Sequence, residues 1–174
     1  ALKSFGQTLV KVTAPGIPDV YQGTELWDLS FVDPDNRRPV DFTQRKDILS
    51  EFNDFKTDQL KDRLKELKTN FQDGKIKMYL LHKALKFRNS HQDIFLQGEY
   101  MPLVMNGENA EKLLGFARKF NEKWALVIVP LFVSNLFDAT DFKPAKDAFS
   151  GVEISLPGSA PKSSASRRAA TPST

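Results

Sequence analysis

The sequence contains no cysteine and only two histidines, His82 and His91. The lack of cysteine excludes disulfides, thiolate metal sites and a cysteine nucleophile. The two histidines have no carboxylate at metal-ligand spacing, and the sequence contains neither a serine nucleophile elbow nor a phosphate-binding glycine loop. We therefore expect no metal and no cofactor, and the sequence argues against serine hydrolases, kinases and dinucleotide-dependent enzymes.

Long hydrophobic runs are also missing. The longest, Trp124 to Val133, is interrupted by Pro130 and is well short of the roughly 20 residues that cross a bilayer as a helix. No signal-peptide pattern is present, and the sequence begins at Ala1 rather than at a methionine. We predict a cytoplasmic protein with no membrane contact, and we expect this sequence to start within a longer protein.

The positive charge of the chain is confined to its end. No acidic residue follows Glu153, whereas Lys162, Arg167 and Arg168 do, so residues 1–153 are neutral and the formal net charge of +3 comes from the tail. A neutral folded part argues against a nucleic-acid partner. Residues 158–174 are rich in Ser, Ala and Pro and have no large apolar side chain, so we predict a disordered tail.

The remaining composition is that of a folded chain. With 174 residues, 40% of them hydrophobic, it can form one or two modest domains but not a complete eight-stranded α/β barrel, which needs about 250 residues. Apolar spacing predicts a helix over Leu2–Thr13, which must end before Pro15, and then a short strand over Ile17–Tyr21. Further helices are predicted around Ile48 to Phe55, Leu60 to Phe71 and Ile76 to Phe87.

After His91 the pattern changes to short β-prone runs separated by turns. The runs predict an antiparallel sheet with strands over Tyr100 to Met105, Leu113 to Phe120, Trp124 to Phe132 and Val152 to Leu156. The alternation at Phe116, Arg118 and Phe120 predicts one covered face for the second strand. The nearly unbroken apolar run Ala125 to Val129 instead predicts a central strand that is covered on both faces.

Between the first strand and the second helix, Gln22 to Phe42 has no period and concentrates acids and arginines. One interpretation is that its acids cap turns and pair with Arg37 and Arg38. Another is that the two arginines and the flanking acids line a polar pocket for a ligand rich in hydroxyl groups, since guanidinium groups donate directional hydrogen bonds. The sequence leaves both open.

One segment carries a specific resemblance. Thr13 to Phe42, TAPGIPDVYQGTELWDLSFVDPDNRRPVDF, resembles the end of the catalytic barrel of maltooligosyl trehalose synthases, a branch of the α-amylase superfamily. Within it, PGIPDVYQGTE looks like the eighth barrel strand and its exit. Residues 73–120, DGKIKMYLLHKALKFRNSHQDIFLQGEYMPLVMNGENAEKLLGFARKF, are similar to that branch's last barrel helix and the start of its C-terminal β-domain.

The resemblance implies an α+β fragment of that enzyme. Residues 1–90 would be the end of a (β/α)8 (TIM) barrel with one short strand, residues 91–157 an antiparallel C-terminal β-domain, and residues 158–174 the disordered tail. Its natural partner would be the missing N-terminal barrel of the same protein, and the exposed fragment is also a candidate for self-association.

The activity implied is intramolecular transglucosylation in trehalose biosynthesis. Such an enzyme is an isomerase, a glucosylmutase that converts the reducing-end α-1,4 bond of a maltooligosaccharide into an α,α-1,1 bond. An aspartate nucleophile and a glutamate acid/base perform this chemistry with retention. In the family those carboxylates precede the matching segment, so the resemblance implies that this chain has no catalytic residue and is inactive alone.

The resemblance also implies where substrate contacts lie, because barrel active sites form at the carboxyl ends of the strands. The candidates that would line or brace a maltooligosaccharide pocket are Gln22, Glu25, Asp33, Asp35, Asn36, Arg37 and Arg38. Two alternatives stand beside this hypothesis. One is another glucosidase of the α-amylase superfamily, and the other is a non-catalytic carbohydrate-binding or interaction module whose stacking platform would use Tyr21, Trp27, Tyr100 or Trp124.

Overall fold

The molecule has a helical first half and a β-rich second half, which confirms the predicted α+β class. The computed structural model describes residues 2–30, 32–133, 136–137 and 143–156, so the predicted disorder of the tail falls outside the described residues. Its helices are α1 (Leu2–Thr13), α2 (Phe42–Asn53), α3 (Leu60–Thr69), α4 (Lys75–Ser90) and α5 (Gln92–Leu96). The short helix α5 was not predicted.

The helix boundaries have local causes. Helix α1 ends two residues before Pro15, as the sequence predicts. Helix α2 begins after Asp41, whose carboxylate accepts a hydrogen bond of 2.9 Å from the backbone N–H of Gln44, the arrangement of an N-cap. Helix α4 begins after Gly74, which has a left-handed φ of 78° and lies so close to the backbone of Trp27 that a Cβ atom would come within 2.8 Å of its nitrogen. Only glycine satisfies both constraints.

Helices α2, α3 and α4 share one apolar core. Phe52 of α2 is 2% exposed and packs edge to face on Tyr79 of α4, with ring centroids 5.2 Å apart. Leu67 is the buried residue that α3 contributes to this core, and Leu26, from the segment before α2, packs against it as well. Burying such side chains stabilises the fold by about 1.5–3 kcal/mol each. Leu26 therefore anchors the following loop to the helices.

The second half is antiparallel, as predicted, but it forms two small sheets rather than the single sheet expected from the sequence. The strands are β1 (Glu99–Pro102), β2 (Val104–Asn106), β3 (Leu113–Phe120), β4 (Lys123–Pro130) and β5 (Glu153–Ser155). One sheet has the order β1-β3-β4, and the other pairs β2 with β5. The single run predicted over Tyr100 to Met105 is therefore divided at Leu103 between two sheets.

The predictions of one covered face for β3 and two covered faces for β4 are both wrong, because the structure shows the reverse. Strand β4 is at the edge of its sheet and alternates, with Leu126 49% and Ile128 40% exposed. Strand β3 is central, and its consecutive residues Phe116, Ala117 and Arg118 are all buried. The apolar run Ala125 to Val129 gave the wrong prediction for β4 because apolar side chains also lie on protein surfaces.

The predicted strand Ile17–Tyr21 is also not formed. The segment is irregular, pairs with no other strand of the described residues, and leaves Ile17 91% exposed. A strand requires a neighbour for its backbone N–H and C=O groups. Nothing in the described part of the chain supplies one.

Two buried arginines join the halves at the C-terminal end of α1. Arg88 of α4 donates hydrogen bonds to the carbonyl oxygens of Val12 (2.8 Å) and Gly16 (2.6 Å). Arg118 of β3 donates to the carbonyl of Thr13 at 3.3 Å, to that of Phe95 in α5 at 3.1 Å and to that of Gly98, just after α5, at 2.8 Å. The last carbonyls of a helix lack partners within the helix and carry its negative dipole end, which favours cations there.

We predict that Arg118→Met lowers the free energy of unfolding by roughly 3 kcal/mol. Two buried carbonyls and one partly buried carbonyl lose their charged donor, at about 1–3 kcal/mol for each buried group left unsatisfied, and removal of a desolvated charge offsets part of that loss. Urea unfolding measures the change. In the control Arg63→Met, an exposed ion pair with Glu66 is lost, which should cost less than about 1 kcal/mol; equal effects of the two variants would contradict the capping role.

A second prediction concerns pH. Burial lowers the pKa of His82 on α4, and the nearby charges of Lys83 and Lys86 act in the same direction. The unfolded chain then binds more protons than the folded one below pH about 6.5, so stability falls as the pH drops through that range towards the folded-state pKa. NMR titration should place the His82 midpoint below 6.5. His82→Gln should flatten the pH dependence of stability between pH 5 and 6.5, and an unchanged slope would argue against this assignment.

Candidate functional site

In the loop between α1 and α2, Leu26 and Trp27 are held in place by contacts with α4 and the residues just before it. The indole N–H of Trp27 donates to the carbonyl of Phe71 at 2.6 Å. The ammonium of Lys77 donates to the carbonyl of Leu26 at 3.0 Å and lies 5.6 Å from the centre of the Trp27 ring. Burial lowers the pKa of Lys77, and the charge of Lys11 lowers it further. The contacts fix Leu26 and Trp27 against the N-terminal end of α4.

One side chain closes the loop. Arg45 of α2 donates from Nε to the carboxylate of Glu25 at 2.9 Å, from one terminal nitrogen to the carbonyl of Asp41 at 3.0 Å, and from the other to the carbonyl of Gly23 at 2.9 Å. Its side chain is 14% exposed and that of Glu25 is 22% exposed, so the ion pair is partly shielded from water. The guanidinium therefore joins the start and the end of the loop.

The closed loop surrounds a small polar cavity of about 170 Å³. Its walls carry carboxylates, guanidinium groups, amides and a hydroxyl, which together donate to and accept from hydroxyl groups in many directions. Neither histidine lines it. The residues that line it are Gln22, Gly23, Trp27, Asp28, Ser30, Asp35, Asn36, Arg38, Pro39, Val40, Asp41 and Arg45.

The charges in this cavity are already partnered. Hydrogen bonds from the hydroxyl and the backbone N–H of Ser30 lower the pKa of Asp28, and the positive charges of Arg38 and Lys77 act in the same direction. Arg38 also forms an ion pair of 2.8 Å with Asp35, and their side chains are 70% and 48% exposed, so this side of the cavity is open to solvent. The cavity therefore holds ionised acceptors beside permanent cationic donors, an arrangement suited to binding rather than to proton transfer.

The seven predicted site residues separate into three groups. Gln22, Asp35, Asn36 and Arg38 line the cavity. Glu25 does not line it but supports it through Arg45. Asp33 and Arg37 pair with each other at 2.7 Å, with side chains 55% and 69% exposed, and lie outside the lining.

Arg45 and Ser30 are polar lining residues that the sequence did not predict, whereas Asp28 and Asp41 belong to the acids around the two arginines without being among the seven site candidates. The capping role of Asp41 follows from its position three residues before Gln44 and ahead of a helical pattern. Arg45 follows Asp41 by one helical turn, which places it over the loop end. The contact between Arg45 and Gly23 depends on the tertiary fold and leaves no local pattern.

The aromatic residues proposed as a stacking platform are mostly engaged in packing. Trp27 is held as described above, Trp124 has the ammonium of Lys119 at 5.1 Å from its ring, and Tyr100 packs on Phe116 with centroids 5.1 Å apart. Tyr21 is 45% exposed and stands beside the turn. These placements give the binding-module alternative no shared platform in the described part of the chain.

Comparison with known proteins identifies the homologues. No family model matches the chain. Proteins described as putative maltooligosyl trehalose synthases in two strains of Mycobacterium tuberculosis, CDC 1551 / Oshkosh and ATCC 25618 / H37Rv, are 40% identical over 110 residues, which is 63% of this chain. The chain spans about 12% of the length of these relatives.

Solved structures give the same result. A crystal structure of a maltooligosyl trehalose synthase is 41% identical and has a TM-score of 0.60, over 76% of this chain and 16% of that one. The maltooligosyltrehalose synthase from Arthrobacter ramosus is 35% identical with a TM-score of 0.53, over 72% of this chain and 15% of its own. The sequence and structural homologues of the chain are thus maltooligosyl trehalose synthases, each matched over a small part of its length.

We predict that Arg45→Lys opens the loop. Lysine keeps the charge, but its three N–H donors share one nitrogen and cannot reach the acceptors that Arg45 contacts from three different nitrogens. Hydrogen bonds to charged groups contribute about 1.5–3 kcal/mol. Hydrogen exchange of backbone amides in residues 22–41, followed by mass spectrometry, should accelerate by about ten- to a hundredfold. Arg37→Lys is the matched control, and no acceleration is expected because its partner Asp33 lies in solvent; equal exchange in both variants would refute the clamp.

Proposed function

We propose that this chain is the part of a maltooligosyl trehalose synthase that supplies one polar wall of the sugar-binding site. One observation supports this proposal: the segment that resembles this enzyme forms the polar cavity, and Arg45 joins the two ends of that segment. The homologues named above carry the same designation over the matched region. The whole enzyme would convert the reducing-end α-1,4 bond of a maltooligosaccharide into an α,α-1,1 bond, as an intramolecular transglucosylase in the cytoplasm.

In this proposal the residues of the chain bind and orient. Arg38 and Asn36 donate to sugar hydroxyls, while Asp35 and Asp28 accept from them. Glu25 and Arg45 hold the wall in place. The aspartate nucleophile and the glutamate acid/base of the retaining mechanism lie in the remaining polypeptide, at the carboxyl ends of other strands of a TIM barrel to which residues 17–21 would add the eighth strand.

This architecture also accounts for the irregular segment 17–21. Its apolar Ile17 is 91% exposed because the strands that would cover it and pair with it belong to the remaining polypeptide. The domain division proposed is residues 1–90 with the barrel and residues 91–157 as the β-domain. The missing barrel is therefore the partner proposed for this chain.

The test is a hybrid enzyme in which residues 2–156 replace the corresponding part of the M. tuberculosis relative. We predict that the hybrid converts maltopentaose into a non-reducing, trehalose-capped product, whereas the isolated chain yields none. Arg38→Met in the hybrid should lower kcat/KM by about ten- to a hundredfold through the loss of a charged hydrogen bond.

The matched control is Arg37→Met in the same hybrid. Arg37 neighbours Arg38 in sequence but lies outside the cavity, so kcat/KM should stay within about twofold of the unaltered hybrid. Turnover by the isolated chain, or equal losses from the two substitutions, would overturn the proposal.

A further inference from the structure

The helical half carries a second concave surface next to the loop, since Phe5 in its lining packs on Trp27 with ring centroids 5.7 Å apart. It is an apolar groove of about 440 Å³ between α1, α3, α4 and the end of β4. Phe5 and Leu9 of α1 form one side, Leu64 and Leu80 the other, and Ile128 the end. Two of these side chains, Leu64 at 39% and Ile128 at 40%, are among the large exposed hydrophobic residues of the molecule.

The lining of this groove indicates the chemistry of what covers it. Lys83 is the charged residue among those that line it, and its ammonium lies 5.3 Å from the centre of the Tyr79 ring. Helical and strand walls that are nearly all apolar are typical of surfaces that other polypeptide covers. A small polar ligand such as a saccharide would find few hydrogen-bond partners here.

The length of the homologues indicates where that polypeptide comes from. The chain spans 12–16% of the relatives it matches, so more than four-fifths of each relative lies outside the matched region. Interfaces within one chain bury hundreds of square ångströms. An apolar groove on a chain that matches so little of these relatives is therefore a surface on which polypeptide from outside the matched region can pack.

We propose that this groove is a docking surface for polypeptide of the same enzyme outside this chain, specifically an apolar segment that places an acidic side chain near Lys83. The inference rests on the proposed function, since it takes the chain as part of the longer synthase. It adds a second contact, beside the sugar-binding wall, where Phe5 of the groove packs on Trp27. The docked segment covers Leu64 and Ile128 and leaves Leu126, two residues earlier on the same face of β4, in solvent.

The absence of cysteine from the chain permits a direct test by thiol labelling. Leu64→Cys and Ile128→Cys place single thiols in the groove, and Leu126→Cys is the matched control on the same strand. We expect all three thiols to react with a maleimide at similar rates in the isolated chain. In the hybrid enzyme the two groove thiols should react at least about tenfold more slowly, whereas the control should not change. Peptide mass spectrometry assigns the label to each site.

The outcomes separate this inference from the proposed function. Slow groove labelling in a hybrid that makes no trehalose-capped product supports the docking surface and refutes the proposed function. Product formation with groove thiols that react at the isolated-chain rate refutes the docking surface alone. Any hybrid in which all three thiols react as in the isolated chain also counts against the docking surface.

A last outcome concerns the isolated chain itself. Light scattering reports its mass under the labelling conditions. If the groove thiols are already protected there and the mass is that of a dimer, a second copy occupies the groove and the inference is wrong.

Discussion

The fold depends on how the C-terminal end of α1 is held between the two halves of the chain. The guanidinium groups of Arg88 and Arg118 lie 5.4 Å and 6.0 Å from the ring centre of Phe95 and have no carboxylate within ion-pair distance among the described residues. Burial and the charge of Arg88 lower the pKa of Arg118, but guanidinium stays protonated at neutral pH. Five backbone carbonyls therefore take the place of counterions, and that requirement fixes α1, α4, α5 and β3 relative to one another.

The same helix end determines where the candidate site can form. Val12 packs with Leu81 and Ala84 of α4, while Leu9 and Val10 pack against the sheet. With α1 held on both sides, the chain leaves it in one direction and reaches α4 again at Leu26 and Trp27. The loop that follows has little apolar burial of its own, so its shape depends on partly exposed polar contacts at Arg45. A buried interior thus supports a loop whose two ends are joined by the guanidinium of Arg45.

The sequence predicted those secondary-structure elements whose bounds are set by their own apolar period and turn residues. The helix over Leu2–Thr13 and the strand Leu113–Phe120 were predicted at the residues where they occur, because apolar period and turn residues define both. The strand Ile17–Tyr21 and the burial of β4 were mispredicted, since each depends on which neighbours are present rather than on the segment itself. The same holds for the site. Composition and resemblance predicted the lining residues Gln22, Asp35, Asn36 and Arg38. Arg45 was not predicted, because it joins residues that only the tertiary fold brings together.

The electrostatics of the cavity assign a role to its acids. Cleavage of a glycosidic bond needs a general acid that retains its proton near neutral pH. Ser30, Arg38 and Lys77 stabilise the ionised form of Asp28 and lower its pKa, which is the opposite shift. Asp35 is paired with Arg38 and Asp41 caps α2, so these carboxylates already serve as acceptors. Under the proposed function, a wall of this kind would orient a sugar by hydrogen bonding, and the proton for the leaving oxygen would come from a carboxyl group on a facing wall, in an environment that raises its pKa.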